Sequence, residues 1–252
     1  MPARLALVRS PLAPLLAEPR VSASQVSQAL FGHALLVVRE DGDWLRLRGL
    51  RDGYEGWTHR GYVHEIEAPE DDGAAAVAPY EERTFGGTTA DAARADAEAM
   101  AALAGAGVPA PALSLGCTVV AGTRRLRLPL GALVGEGQSV IAGEVVPLGE
   151  RGVRFPASGE AVAREAARWF EGTTYEWGGL TPWGADCSGF VQTLYALHGV
   201  DLPRDAWQQA LVGAAVDADP AAAAAGDLLF FGERDDRRIT HVGLALGDGT
   251  MA

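Results

Sequence analysis

Asp186-Cys187-Ser188-Gly189-Phe190-Val191 is the stretch on which the fold turns. It ends a glycine-rich, irregular run that begins at Thr173, and it opens a helical pattern. That pattern carries Val191, Leu194 and Tyr195 inward until Gly199 stops it, with Pro203 just beyond. A cysteine at such a boundary has unusual surroundings. The first-turn amides of a helix lack internal partners, and the helix dipole is positive there. A thiolate is stabilised in that setting and is a ready nucleophile, and its own amide helps bind a developing oxyanion. The competing reading is a buried, inert cysteine, the commoner fate of the residue. The position of Cys187 between two polar residues at a helix start argues against it.

Outward from this helix, residues 154–252 read as one α+β domain. Ser158 is a plausible N-cap for a helix that places Val162, Ala166, Trp169 and Phe170 on one face and ends at Gly172. Ala225-Gly226-Asp227 leads into an apolar run at 228–231, and 239–246 reads as a strand that enters a turn at Gly247-Asp248-Gly249. A thiol nucleophile needs a base, and the chain offers His33, His59, His64, His198 and His241. The first three lie in the amino-terminal region. His198 is on the Cys187 helix itself, ~16 Å along it. His241 starts the strand in which Val242, Leu244 and Leu246 alternate with Gly243 and Ala245. Small residues on the histidine's face leave room for a helix or substrate, and His241 is the base candidate left in the domain.

The remainder divides by composition. Residues 1–67 read as a small all-β barrel with Asp-Gly turns at Asp41-Gly42 and Asp52-Gly53, its core expected to hold Trp44 and Trp57. Residues 68–113 read as a linker containing a helix, closed by Gly105. Residues 114–153 read as a second small β domain, with strand-like runs at 118–121, 126–130, 139–141 and 144–148; Cys117 is read there as structural. The net charge of −12 gives no electrostatic basis for binding nucleic acid. The apolar run within residues 1–16 is broken by Arg9, Pro11 and Pro14 and is too short for a leader, and no segment approaches a membrane span. The chain as written therefore reads as cytoplasmic, with a trimmed, exported form as the alternative. Two cysteines, Cys117 and Cys187, make no disulfide framework.

Five motifs in order resemble the NlpC-type cell-wall cysteine peptidases: Tyr175-Glu176-Trp177-Gly178-Gly179, the Asp186–Val191 stretch, Leu202-Pro203-Arg204-Asp205-Ala206 with Gln208 and Gln209, Ala225-Gly226-Asp227-Leu228-Leu229-Phe230-Phe231, and His241 through Gly249. Gln28-Ala29-Leu30-Phe31-Gly32, Asp43-Trp44-Leu45-Arg46-Leu47-Arg48 and Asp52-Gly53-Tyr54-Glu55-Gly56-Trp57 resemble the bacterial SH3-like domain of the same relatives. The resemblance implies a papain-like catalytic domain behind one or two SH3-like barrels, with neither metal nor cofactor. It implies hydrolysis of the γ-D-glutamyl-diamino acid bond in murein peptides with a free amino-terminal L-alanine. By position it makes Cys187 the nucleophile and His241 the base. Tyr175 and Trp177 would line the substrate site, and Asp186 and Ser188, with Tyr54 of the barrel, would bind the substrate's amino end. Plain N-capping is the other role open to Asp186. A glutamate expected just before Gln28 is replaced, with Ser24 and Gln25 nearby.

A cysteine–histidine pair usually has a third group that orients the imidazole. If Gly247-Asp248-Gly249 is a three-residue hairpin loop, Leu246 pairs with Thr250 and Leu244 with Ala252. The orienting residue then falls one position past Ala252. The chain is expected to be truncated there, a histidine (or Asn or Gln) to follow, and the fragment to be weakly active or inactive; the alternative is that another group serves. Two further functions compete with the peptidase. One is an amidase of the same superfamily. The other is a non-catalytic wall-binding protein, against which the presence of both Cys187 and His241 speaks.

Overall fold

The computed structural model describes residues 4–67, 112–135, 137–216, 219–232 and 238–252. The described residues up to Glu150 form one compact unit, and those from Arg151 onward form a second.

The first unit is all β. Strands β1 (Arg4–Val8), β2 (Leu12–Leu16), β3 (Gln25–Leu30), β4 (Ala34–Asp41), β5 (Trp44–Gly49), β6 (Glu55–His59) and β7 (Val63–Glu67) form one antiparallel sheet in the order β3-β2-β6-β5-β4-β1-β7. Two-residue alternation decides what is buried. On β5, Leu45 and Leu47 are fully buried, while Trp44, Arg46 and Arg48 take the other face. The core is therefore aliphatic, built from Ala6, Val8, Leu15, Leu35, Leu45 and Leu47 among others. This corrects the expectation for Trp44, while Trp57 is buried as expected. Trp44 is half-buried and meets His59 edge-on at 5.6 Å, and Trp57, though buried, lies outside that cluster beneath the Arg39 guanidinium at 5.8 Å. The segment weighed as a leader forms β1 and β2. Pro14 is tolerated because β2 meets β6 only at Leu16, opposite Trp57, so no ladder bond on that side needs its missing N–H.

The second β region also departs from expectation. Strands β8 (Ala112–Ala121), β9 (Arg124–Val134) and β10 (Gln138–Pro147) form a three-stranded antiparallel sheet in the order β10-β8-β9. Three strands leave one apolar face open, and here Leu30 and Phe31 of the first sheet pack among Cys117, Val119, Leu126 and Leu128. The Leu133 amide donates to the Phe31 carbonyl at 2.8 Å. Instead of standing as a domain of its own, the region is thus part of the first unit. The runs at 139–141 and 144–148 fall on one bulged strand as far as Pro147, with Leu148 starting a 3-10 turn. A side chain at Gly143 would come within 2.3 Å of the Gly116 carbonyl, so only glycine allows this approach. Cys117 is buried, with the Ser114 hydroxyl at 3.3 Å. The linker helix expected within 68–113 lies outside the described residues up to 111.

His33 joins the two sheets: its Nε2 faces the Gly131 carbonyl at 3.0 Å. Burial depresses its pKa from 6.5 to about 4, partly opposed by the Gly131 hydrogen bond. The folded state therefore holds the imidazole neutral. Stability from this group is complete above pH 6.5 and is lost as pH falls from there toward 4. The loss is at most ~3 kcal/mol, and less in practice because the ring keeps some solvent contact. Urea unfolding at pH 7 and pH 5 should therefore show a smaller pH difference for His33→Gln than for the wild type. An equal difference would dismiss His33 as the source.

The second unit is α+β. It contains α1 (Arg151–Arg154), α2 (Gly159–Phe170), the short strands β11 (Leu180–Thr181) and β12 (Gly184–Ala185), α3 (Cys187–Leu197), α4 (Ala206–Gln209) and the antiparallel pair β13 (Leu228–Gly232) and β14 (Ile239–Leu244). The Ser158 hydroxyl caps α2 by accepting from the Ala161 amide at 3.3 Å. Val162, Ala166 and Phe170 are its buried face, and Phe170 meets Phe190 of α3 edge-on at 5.0 Å. Helix α3 packs on β14 through Val191 and Val242, with Leu202 and Ala206 completing the cluster. After β14 the chain turns back on itself. Leu246 N donates to Thr250 O at 3.0 Å, and Leu244 and Ala252 exchange backbone bonds at 2.8 and 2.9 Å, the pairing that the turn residues led us to expect.

Candidate active site

Cys187 is the first residue of α3, and Asp186 is its N-cap, in extended conformation at φ −92 and ψ 175. The Asp186 Oδ1 accepts from the Gly189 amide at 2.7 Å. The glycines around the turn are a packing requirement. A Cβ at Gly189 would lie 2.0 Å from the Gly179 carbonyl, and one at Gly179 would lie 2.4 Å from the Gly184 carbonyl. The 173–186 loop can therefore lie directly on the helix start. Cys187 is a free thiol, half-buried against the Val191, Leu202, Ala206 and Val242 cluster.

Tyr175 pairs with Ala185 through an isolated bridge, so it sits on the same loop beside the helix start. Its phenol pKa is raised, first by burial, then by the charges of Cys187 and Asp186 and by a side-chain hydrogen bond with Cys187. Tyr175 nonetheless remains 61% exposed. Trp177, two residues on, is more exposed still. Tyr54 belongs to the first unit, where it is half-buried and its amide donates to Asp52 Oδ1 at 3.0 Å.

His241 lies on β14 directly before Val242 and is exposed. It pairs across the ladder with Phe231, the two rings 5.9 Å apart. The register slips at this point: Phe231 pairs with His241 but Gly232 with Ile239, leaving Thr240 as an extra residue. Such a bulge re-aims the side chains next to it, and simple strand alternation gives no sign of it. The other histidine of this unit, His198, is buried at the far end of α3, its Nδ1 2.7 Å from the Pro156 carbonyl.

Asp186 and Ser188 do not present open polar groups. Five donors converge on the Asp186 carboxylate: the Gly178 amide at 2.8 Å, the Gly189 amide at 2.7 Å, the Ser188 hydroxyl at 3.3 Å, and Arg204 Nη1 and Nη2 at 3.0 and 2.8 Å. A carboxylate offers about four lone-pair sites, so these are fully used. Its charge is also balanced by a guanidinium that is 1% exposed. The expectation that Asp186 binds a substrate ammonium while capping the helix is corrected accordingly: it is an internal counter-ion and cap. Ser188, also buried, accepts from Arg204 at 3.0 Å. Arg204 and Gln209 are the residues whose roles the sequence reading missed. Gln209 Nε2 donates to the Ser188 carbonyl at 3.1 Å and to the Pro203 carbonyl at 2.8 Å. The only local hint was two long polar residues in a segment following Leu202-Pro203. Among the described residues, no three His, Cys, Asp or Glu side chains gather as a metal ion requires.

Two families match the chain: the NlpC/P60 family over residues 172–252 and the bacterial dipeptidyl-peptidase Sh3 domain over residues 15–60. A gamma-D-glutamyl-L-lysine dipeptidyl-peptidase of Bacillus subtilis is 42% identical over 88 residues, 34% of this chain and 29% of that protein. The bifunctional muramidase/DL-endopeptidase CwlT of the same organism is 46% identical over 94 residues, 36% of this chain and 28% of that protein. The matched stretch thus spans less than a third of either relative. A crystal structure of an NlpC/P60 family protein from Bacillus cereus aligns at a TM-score of 0.67, covering 98% of this chain and 89% of that one at 19% identity, a likeness of fold. Within this chain, an SH3-like stretch at residues 15–60 thus precedes a carboxy-terminal stretch at 172–252 that is similar to the NlpC/P60 family.

Proposed function

We propose that this chain is an endopeptidase that hydrolyses the γ-D-glutamyl-diamino acid bond of short murein peptides with a free amino-terminal L-alanine. The observation that carries the reading is the placement of Cys187 as the first residue of a capped helix, with Tyr175 on the loop bridged to Ala185 beside it. In this mechanism the Cys187 thiol gives its proton to His241 and the sulfur attacks the γ-carbonyl carbon of D-glutamate. The oxyanion is met by the Cys187 amide and the Tyr175 hydroxyl, a phenol that is a donor at neutral pH. The C–N bond then breaks, and the departing amine takes a proton from His241, leaving a thioester. Water attacks the thioester, gives its proton to His241, and releases the dipeptide and the free thiol. Trp177 offers the substrate an exposed aromatic wall. Since Asp186 is saturated, recognition of the amino end falls to groups beyond it. Small soluble wall fragments of this kind suit recycling in the cytoplasm.

The test is mass spectrometry of L-Ala-γ-D-Glu-diaminopimelate and its N-acetylated form after incubation with the protein. The free peptide should yield L-Ala-D-Glu at least about 10-fold faster than the acetylated one, the loss expected when a site built for a charged group meets its blocked analogue. Equal rates would remove the amine requirement. Cleavage of neither, together with sedimentation on murein sacculi, would favour a wall-binding protein.

A further inference from the structure

Among the described residues, Arg204 is the largest fully buried side chain. A guanidinium keeps its proton at any working pH, so a buried one must have its charge balanced on the spot. Arg204 does so against both sequence neighbours of the nucleophile. Its Nη1 and Nη2 grip the Asp186 carboxylate at 3.0 and 2.8 Å, and its Nη1 also donates to Ser188 Oγ at 3.0 Å. Gln209 ties the Arg204 segment to the same turn through the carbonyls of Ser188 and Pro203. Buried ion pairs are weak sources of stability, because an apolar replacement is often as stable or more so. Two residues flanking one thiol, both locked to one guanidinium, suit a different task.

We propose that Arg204 is a positioning residue: by clamping Asp186 and Ser188 it fixes the turn that aims Cys187. The inference rests on the reading of Cys187 as nucleophile. It also gives Asp186 and Arg204 a joint role as one neutral unit inside the site.

Wild type would be compared with Arg204→Lys, Arg204→Met and the charge-free double variant Asp186→Asn/Arg204→Met. The readouts are the thermal midpoint, kcat and KM on the murein tripeptide, and the site-resolved rate of Cys187 alkylation by iodoacetamide. Arg204→Lys and the double variant should stay folded, with midpoints within several degrees of wild type. In both, kcat and the alkylation rate should fall about 10- to 100-fold, as small misplacements of a reacting group do, while KM stays within about twofold. Should Arg204→Met fail to fold, Arg204→Lys and the double variant decide. A folded variant with wild-type kcat and alkylation rate would overturn the proposal, as would a rise in KM alone, which would make Arg204 a substrate-binding group. If wild type cleaves no murein peptide, the proposed function fails, and alkylation alone still decides the role of Arg204.

Discussion

Cys187→Ala is expected to abolish hydrolysis of the murein tripeptide, lowering kcat by a factor of about 10⁴ or more, with the fold intact. Removing the sulfur removes the atom that forms the thioester, and nothing else in the site can replace it. Cys117 is 2% exposed in the first unit, with the Ser114 hydroxyl on its sulfur. Tyr175 is held as a protonated phenol. The supports of the helix start do not use the Cys187 side chain: Asp186 caps Gly189, and Arg204 grips Asp186 and Ser188. Alanine is also the best helix former. The variant should therefore unfold within a few degrees of wild type by circular dichroism. Residual turnover above about one part in a thousand from a folded variant would remove Cys187 from the chemistry.

The second large effect is expected at His241. His241→Ala should lower kcat about 10²- to 10⁴-fold, the range for loss of a general acid–base, with little change in KM. The imidazole is exposed, so its loss leaves no buried group unpaired, and the ladder bonds at Phe231 are made by backbone. Its aim depends on the bulge at Thr240 and on the Phe231 ring. It should depend as well on the strand after the 247–249 turn. Leu244 pairs with Ala252, so the position that would follow Ala252 lies opposite Gly243, on the His241 side. Met251, two residues before that position, already covers Gly243 on this face. Appending histidine after Ala252 should therefore raise kcat about 10-fold or more over appended alanine, because an oriented imidazole holds its productive tautomer. Equal kcat for the two extensions would place the orienting group elsewhere.

What could be read from the residues alone was what depends on neighbours in sequence. The caps Ser158 and Asp186 and the helix stops at Gly172 and Gly199 act within a turn, and each is found where the residue types put it. The Leu246–Thr250 and Leu244–Ala252 pairings follow from a three-residue turn for the same reason. What could not be read depends on partners brought from far away. Arg204 reaches Asp186 across eighteen residues, and a buried arginine has the same letter as a solvated one. The sheet of β8 to β10 looked like a separate domain because its covering residues, Leu30 and Phe31, lie more than eighty positions earlier. Trp44 was assigned to the core by its size, whereas the alternation of β5 puts Leu45 and Leu47 inside. The Thr240 bulge leaves no mark in a pattern of alternating residues.

The acyl-enzyme is the most direct witness to Cys187 as nucleophile. Wild-type protein mixed with excess L-Ala-γ-D-Glu-diaminopimelate, quenched in acid within the first turnovers and digested, should carry a dipeptidyl adduct on the peptide containing Cys187, and hydroxylamine should release it as a thioester. Peptide turnover without an adduct on Cys187 under these conditions, together with a Cys187→Ala variant that still cleaves, would contradict it.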